Sequence, residues 1–175
     1  MHLPKFISGA SKLMYRRIYI FGGPGVGKTT YSQRLSRDFG HYVISLDSIA
    51  YDNTGKKGSE SDMKRKLHEL LVKEEMWIAE GGYLGWCDEL FTQADVVVIL
   101  QVSRLRSLLR IITRYTTQYD SKYGLLSTCR LCTQVLPSYY KEDVLEYPRL
   151  AGSKKVISLV NCSYCELVNI LNDLQ

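Results

Sequence analysis

Gly22-Gly23-Pro24-Gly25-Val26-Gly27-Lys28-Thr29 fits the pattern G-x-x-x-x-G-K-[ST] at every position. That spacing suits a triphosphate. Glycines let backbone N–H groups converge on phosphate oxygens with no Cβ in the way, and a helix opening at the lysine adds its positive pole. Lys28 then reaches the β- and γ-phosphates, Thr29 offers a hydroxyl to Mg²⁺, and Thr30 completes the cradle. A glycine turn that binds nothing is the alternative. Its weight falls because a strand precedes the pattern and a helix follows it.

A cradle for ATP does not say where a phosphoryl group goes, so the other strand ends must identify the acceptor. Asp47 follows the second predicted strand and Glu80 the third, beyond the carboxyl ends where ligands of open parallel sheets sit. Glu80 is the candidate to hold Mg²⁺ through coordinated water. Asp47 takes the proton of a hydroxyl acceptor, or positions metal or substrate if the acceptor is already an ionised phosphate. A structural Asp at a loop entry is the plainer reading. Arg110 and Arg114, spaced i, i+4, leave one helix face and could clamp a migrating phosphoryl group. Solvated surface arginines are the alternative, above all for Arg104 and Arg106.

The elements that must carry these residues are legible in the apolar pattern. Ile18–Phe21 reads as a buried strand entering the glycine loop. Tyr31, Leu35 and Phe39 recur on one face of the helix after it, and Gly40 suits a left-handed cap. Tyr42–Leu46 is the next strand, and residues 51–62 form a polar loop that opens a helix with Met63, Leu67, Leu70 and Leu71 inward. Met76–Ala79 and the wholly apolar Val96–Leu100 add two strands, whose unbroken runs imply a parallel sheet covered on both faces. From Arg104 to about Gln118, Leu105, Leu108, Leu109, Ile112 and Tyr115 share a stripe that should face the core. Residues 119–153 carry no clear pattern. Val156–Val160 is a last strand, and Ser163-Tyr164-Cys165-Glu166 is a capping box before a helix with Leu167, Ile170, Leu171 and Leu174 inward. There is no internal repeat.

The chain of 175 residues is 45% hydrophobic and 23% charged, enough for one core and one domain. It lacks the apolar run of about 18 residues that a spanning helix needs, so no membrane is expected. Residues 1–16 read as a flexible basic extension and not as a targeting peptide, and the cytoplasm is the expected compartment. Net charge is +5, which favours anionic ligands without choosing between nucleotides and nucleic acid. Five cysteines, an odd number, suggest free thiols in a reducing compartment. Cys129-x-x-Cys132 and Cys162-x-x-Cys165 have zinc-like pair spacing, but the long interval between the pairs argues against one zinc site. Tyr115, Tyr119, Tyr123, Tyr139, Tyr140 and Tyr147, interleaved with Lys122, Arg130 and Lys141, could stack nucleic-acid bases, yet they show no groove-like alternation; nucleic acid is not the favoured partner.

Together these residues resemble an adenylate-kinase-related P-loop kinase. Trp77-Ile-Ala-Glu-Gly-Gly-Tyr83 is similar to the strand ending in an Asp-Gly pair beside the metal, with Glu80 in place of the Asp. Leu109-Arg110-Ile-Ile-Thr-Arg114 is similar to the helix leading to the lid, whose arginines contact transferring phosphates. Closer still is the DNA topology modulation (FlaR-like) group of P-loop kinases, which shares the Leu46-Asp47 pair, the Trp77–Tyr83 stretch, the Ala94-Asp95 entry to the fourth strand and an element like Tyr147-Pro148-Arg149. The resemblance covers about residues 17–165. It implies a three-layer α/β fold of the P-loop NTPase type, with a five-stranded parallel sheet, helices on both faces and a small helical lid. It also implies one domain over residues 17–175, with an acceptor segment at about 47–76 and a lid at about 115–150. The expected activity is transfer of the γ-phosphoryl of Mg-ATP to a nucleotide or nucleoside-like acceptor. A regulatory or DNA-associated P-loop ATPase with little kinase turnover is the alternative. The segment from Asp47 to Trp77 lacks the nucleotide-phosphate arginine pattern of adenylate kinases, although Lys56, Lys57, Lys64 and Arg65 could serve.

Overall fold

Apolar β-branched runs become strands here, the central three buried along nearly their whole length and the two at the sheet edges partly exposed. The computed structural model describes residues 13–117, 125–135, 137, 146–149 and 152–173. Its five-stranded sheet runs in the order β2-β3-β1-β4-β5, and every neighbouring pair is parallel. The strands are β1 (Arg17–Phe21), β2 (Tyr42–Ser45), β3 (Trp77–Gly81), β4 (Val96–Gln101) and β5 (Val156–Val160). The chain leaves β1 for β2 and β3 on one side and then crosses to β4 on the other. The order therefore reverses beside β1, the place where an open α/β sheet leaves a crevice.

Alternation along β1 sorts the core into two layers. Ile18 and Ile20 face α1 (Lys28–Phe39) and α7 (Tyr164–Asp173), meeting Leu35, Leu167 and Leu171. Tyr19 and Phe21 face α2 (Leu46–Ala50), α3 (Glu60–Lys73) and α4 (Glu89–Gln93). On that side Tyr19, Phe21 and Phe91 make ring contacts with centroids 5.0 to 5.9 Å apart, within the range for favourable aromatic pairs. The architecture is the expected three layers with a five-stranded parallel sheet at the centre.

Local signals set the ends. Gly40 closes α1 with φ of 77°, its N–H donating to Ser36 O. The box before α7 forms in both directions: Ser163 N–H donates to Glu166 Oε2 at 2.7 Å, and Glu166 N–H to Ser163 Oγ at 3.3 Å. Asp95 accepts from the backbone N–H groups of Arg16 and Arg17 at 3.0 and 2.9 Å, pinning the start of β1 to the start of β4. Leu13 is buried against the α1/α7 face. Within the expected extension over residues 1–16, the packed chain thus begins no later than Leu13, while residues 1–12 lie outside the described residues.

Several boundaries differ from the sequence pattern. β2 stops at Ser45, and Leu46 opens the short helix α2 instead of ending the strand. β3 continues through Glu80 to Gly81, so Glu80 lies inside the strand. Helix α4 had no signature. The largest correction concerns α5 (Arg104–Thr117): Leu105, Leu109 and Ile112 are 67%, 56% and 44% exposed, and the buried positions are Ser107 and Ile111. The helix packs on the glycine loop and not on the sheet, so its inward face is set by close approach of backbones. Of the expected lid, the described residues include α6 (Leu125–Arg130), a π-helical turn at Leu131–Val135 and a helical turn at 146–149; most of the remainder lies outside them. No helix among the described residues is long and apolar enough to cross a membrane.

Gly81 makes the β3–α2 packing possible. A Cβ there would stand 2.7 Å from Leu46 Cδ1 and 2.8 Å from Leu46 Cβ. Gly81→Ala should cost about 1–3 kcal/mol, the usual penalty of overpacking. Urea denaturation of Gly81→Ala, Leu46→Ala and the double variant tests this, the double variant being expected to lose less than the sum.

Candidate functional site

The glycine loop runs from the carboxyl end of β1 into α1, and two close approaches fix its path. A Cβ on Gly22 would lie 2.5 Å from Leu100 O on β4. Gly25, at φ of 74°, would place a Cβ 2.8 Å from Ser107 O on α5. The side chain of Ser107, fully buried, donates to Pro24 O at 2.5 Å, and Arg110 Nη1 donates to Gly25 O and Val26 O at 3.1 and 3.2 Å. With its carbonyls held by α5, the loop is free to turn N–H groups toward a ligand. Gly27, left-handed at φ of 103°, is the N-cap of α1, whose first turn carries no acidic residue to compete with an anion for the helix pole. Val26 contributes only its backbone here, because its side chain is buried in the core.

Lys28 Nζ donates to Gly23 O at 2.8 Å. Burial pushes its pKa below the ordinary lysine value; Glu80 and Asp47 oppose that fall and Arg114 adds to it. Lys28 therefore lies within electrostatic reach of all three at one end of the sheet. A polyanion beside Lys28 would favour its charged form and so oppose the effect of burial.

Glu80 is the most deeply placed of them, only 3% exposed. Its two oxygens are shared between elements: Ser45 Oγ at the end of β2 donates to Oε1 at 2.9 Å, and Thr29 Oγ1 on α1 to Oε2 at 3.3 Å. Register explains the meeting, since Ser45 pairs with Glu80 across β2 and β3, and Ile20, just before the loop, pairs with it across β1. A carboxylate beside a hydroxyl at the mouth of a phosphate cradle is an oxygen-donor set that suits a hard cation such as Mg²⁺. Among the described residues no group of three or more His, Cys, Asp or Glu side chains gathers to hold a metal, so any metal here would rest on this carboxylate, the hydroxyl and the ligand's own oxygens. All five cysteines are free thiols.

Asp47 lies in the first turn of α2, exposed, and accepts from Tyr83 OH at 2.6 Å. Thr30 is exposed on the first turn of α1. The structure thus gathers the loop, Lys28, Thr29, Asp47, Glu80 and Arg114. Arg110 differs from its i, i+4 partner: its guanidinium grips the loop carbonyls, whereas Arg114 is felt by Lys28. Ser45, Ser107 and Tyr83 had no assigned part in the sequence reading. The first two left a trace, as the one hydroxyl in an apolar strand and as the small residue three before Arg110 and seven before Arg114.

No family model matches the chain. The uncharacterized protein YqaC of Bacillus subtilis (strain 168) is 32% identical over 110 residues; the match spans 62% of this chain and 62% of that relative's length. Among solved structures, the shikimate kinase of Acinetobacter baumannii in complex with shikimate superposes with a TM-score of 0.62 at 19% identity, covering 93% of each chain. The shikimate kinase of Bacteroides thetaiotaomicron gives 0.58 at 18%, covering 92% of this chain and 97% of that one. A gluconokinase of Sinorhizobium meliloti 1021 gives 0.58 at 17%, covering 90% and 92%. The fold is therefore that of the P-loop kinases.

The hydrogen bond from Ser45 to the buried carboxylate should contribute about 1.5–3 kcal/mol, the range for bonds to charged groups. Ser45→Ala should lower the urea-derived stability by that amount, and by about 1 kcal/mol or less when Glu80 is already Gln. An equal loss in both backgrounds would show that the hydroxyl does not act on Glu80.

Proposed function

We propose that the chain is an ATP-dependent phosphotransferase that moves the γ-phosphoryl group of Mg-ATP to a small nucleotide or nucleoside-like acceptor. The observation that carries this reading is the convergence of Lys28, Glu80, Asp47 and Arg114 at the mouth of a glycine loop clamped by α5. A loop that merely bound phosphate would need the first of these residues and not the others. The likeness in fold to small-molecule kinases supports the same class. Residues 17–175 form the single catalytic domain on this reading, with residues 47–76 flanking the acceptor and residues 115–150 forming the lid. The cytoplasm is its compartment.

The loop from Gly22 to Thr29, with Thr30, holds the triphosphate through backbone N–H groups and the pole of α1. Lys28 neutralises the β- and γ-phosphates. Thr29 and Glu80 would hold Mg²⁺, Glu80 through water, and the ion would offset the charge of the triphosphate. Arg114 faces the moving phosphoryl, whose charge spreads over its equatorial oxygens. Arg110 serves the same end indirectly, by fixing the loop. Asp47 faces the acceptor.

The shared elements of the DNA topology modulation group bear on this reading because each has a physical role. Asp95 pins two strands, Glu80 lies at the cradle, and Tyr147 OH donates to Asp88 at 2.7 Å beside the acceptor segment. Membership of that group is part of the proposal. The test is transfer of label from γ-labelled ATP to nucleosides, nucleoside monophosphates and 5′-hydroxyl oligonucleotides. Lys28→Ala should reduce transfer by at least about 10²-fold while keeping the far-ultraviolet circular dichroism of the parent. ATP binding with transfer to none of these acceptors, together with tight binding to DNA, would overturn the kinase reading in favour of a nucleotide-dependent DNA-associated protein.

A further inference from the structure

We infer that the acceptor presents an uncharged, hydroxyl-bearing end to Asp47, and that Tyr83 is the residue that positions this carboxylate; the inference rests on the phosphotransferase reading above. Tyr83 OH donates to Asp47 Oδ1 at 2.6 Å, and among the described residues Asp47 Oδ2 receives no side-chain donor. One oxygen is thus oriented by the protein while the other keeps its lone pairs for a proton.

Tyr83 is itself held from two sides. Its ring lies 5.5 Å from that of the buried Trp86, and Cys87 Sγ donates to its carbonyl oxygen at 3.1 Å. The carboxylate it orients stands near Lys28, whose charge it helps to retain against burial. A general base fixed beside the phosphate cradle suits an acceptor that must lose a proton on attack. A phosphate acceptor has no such proton to lose, and its charge would meet that of Asp47.

The charge pattern of the acceptor segment points the same way. Recognition of a nucleoside monophosphate needs cations turned inward. On α3, Met63, Leu67 and Leu71 take the inward face. Lys64 pairs with Glu60 at 2.8 Å, Arg65 with Glu69 at 2.9 Å and Lys73 with Glu74 at 3.7 Å, all on the exposed side. Lys64 and Arg65, which the sequence offered as phosphate ligands, are engaged in ion pairs on the exposed side of α3. Lys56 and Lys57 are exposed on a loop whose turn is tied to the carboxylate of Asp52.

In the step that follows, the acceptor oxygen forms a bond to Pγ of ATP as the bond from Pγ to the β,γ-bridging oxygen breaks. The electron pair of that bond leaves with ADP, and the acceptor proton passes to Asp47 Oδ2. Tyr83 touches neither reactant and acts through Asp47.

The experiment uses the full chain, γ-labelled ATP, and two acceptor sets: uncharged hydroxyl compounds (the four ribonucleosides, thymidine and a panel of hexoses and polyols) and the matching nucleoside 5′-monophosphates. Label is expected on a member of the first set and not on the second. With that acceptor, Tyr83→Phe should lower kcat at least 10-fold and leave the dissociation constant of a non-hydrolysable ATP analogue within twofold. In an Asp47→Asn background the same change should cost less than twofold, because no carboxylate is left to take the proton. Label on monophosphates alone, or an equal cost of Tyr83→Phe in both backgrounds, would overturn this inference and leave the phosphotransferase reading standing. Tight ATP binding with no label on either set would overturn that reading, and this one with it.

Discussion

A carboxylate buried at the end of a central strand cannot be left alone, and Glu80 is the group whose compensation organises this molecule. The cost of an unpaired buried charge is several kcal/mol. Compensation comes from three directions: Ser45 on the neighbouring strand, Thr29 on the first helix, and the ammonium of Lys28 on the loop between. Each of these residues is where it is because β1, β2 and β3 are in parallel register and end together. Shifting β3 by one residue would turn Glu80 into the opposite layer of the core and put Ala79 or Gly81 at the mouth. The register of the sheet and the electrostatics of the site are thus one constraint, and the same residues that satisfy the carboxylate surround the phosphate cradle.

The glycine loop is the second half of that constraint. It bends sharply between β1 and α1, and its carbonyls would be orphaned if only N–H groups were used by a ligand. Helix α5 satisfies them, through Ser107 to Pro24 and Arg110 to Gly25 and Val26. A helix can come this close only with a small residue at the contact and a glycine opposite, which is why Ser107 faces Gly25. Once α5 is committed to the loop, Leu105, Leu109 and Ile112 turn outward, and the helix buries Ser107 and Ile111 where its apolar stripe had suggested leucine.

That inversion marks the limit of what the sequence discloses. Where a single force chose the outcome, the pattern was legible: five apolar runs became five strands, Gly40 capped α1, and the reciprocal box of Ser163 and Glu166 opened α7. That the glycine loop, Asp47 and Glu80 would lie at one end of the sheet was legible because the strands are parallel and end together. Helices α2 and α4 are too short, at five residues each, to display a period, so nothing set them apart from loop. Glu80 sits inside β3 and not after it because the hydrogen-bonded ladder with β1 runs on to Gly81, a fact of pairing and not of composition. Ser107 left only a faint trace, for a different reason. Helical periodicity weighs hydrophobicity, while the choice of inward face here was made by how near two backbones must approach.

The Asp47 side of the site shows the same economy with different forces. The stretch from Tyr83 to Asp88 carries its contacts at both ends. Tyr83 reaches Asp47 on α2, and Asp88 accepts both from Gly85 N–H, at 2.8 Å, and from Tyr147 OH. Tyr147 also packs its ring edge-on 5.6 Å from Phe91 of α4, so the residue that bonds Asp88 is itself anchored in the core layer. Between the two ends lie Trp86 and Cys87, both buried in the core layer of α2, α3 and α4, and burial pushes the Cys87 thiol up to about 12. A segment anchored by buried side chains and by hydrogen bonds at each end has few ways to rearrange without breaking several at once. It therefore gives the α2 carboxylate a fixed support from β3, and joins residue 147, from the far side of the α5–α6 region, to the same support. The glycine-loop half of the site is fixed by backbone proximity and the Asp47 half by side-chain hydrogen bonds. The first tolerates almost no added volume, as Gly22 and Gly25 show, whereas the second can exchange side chains on an unchanged frame.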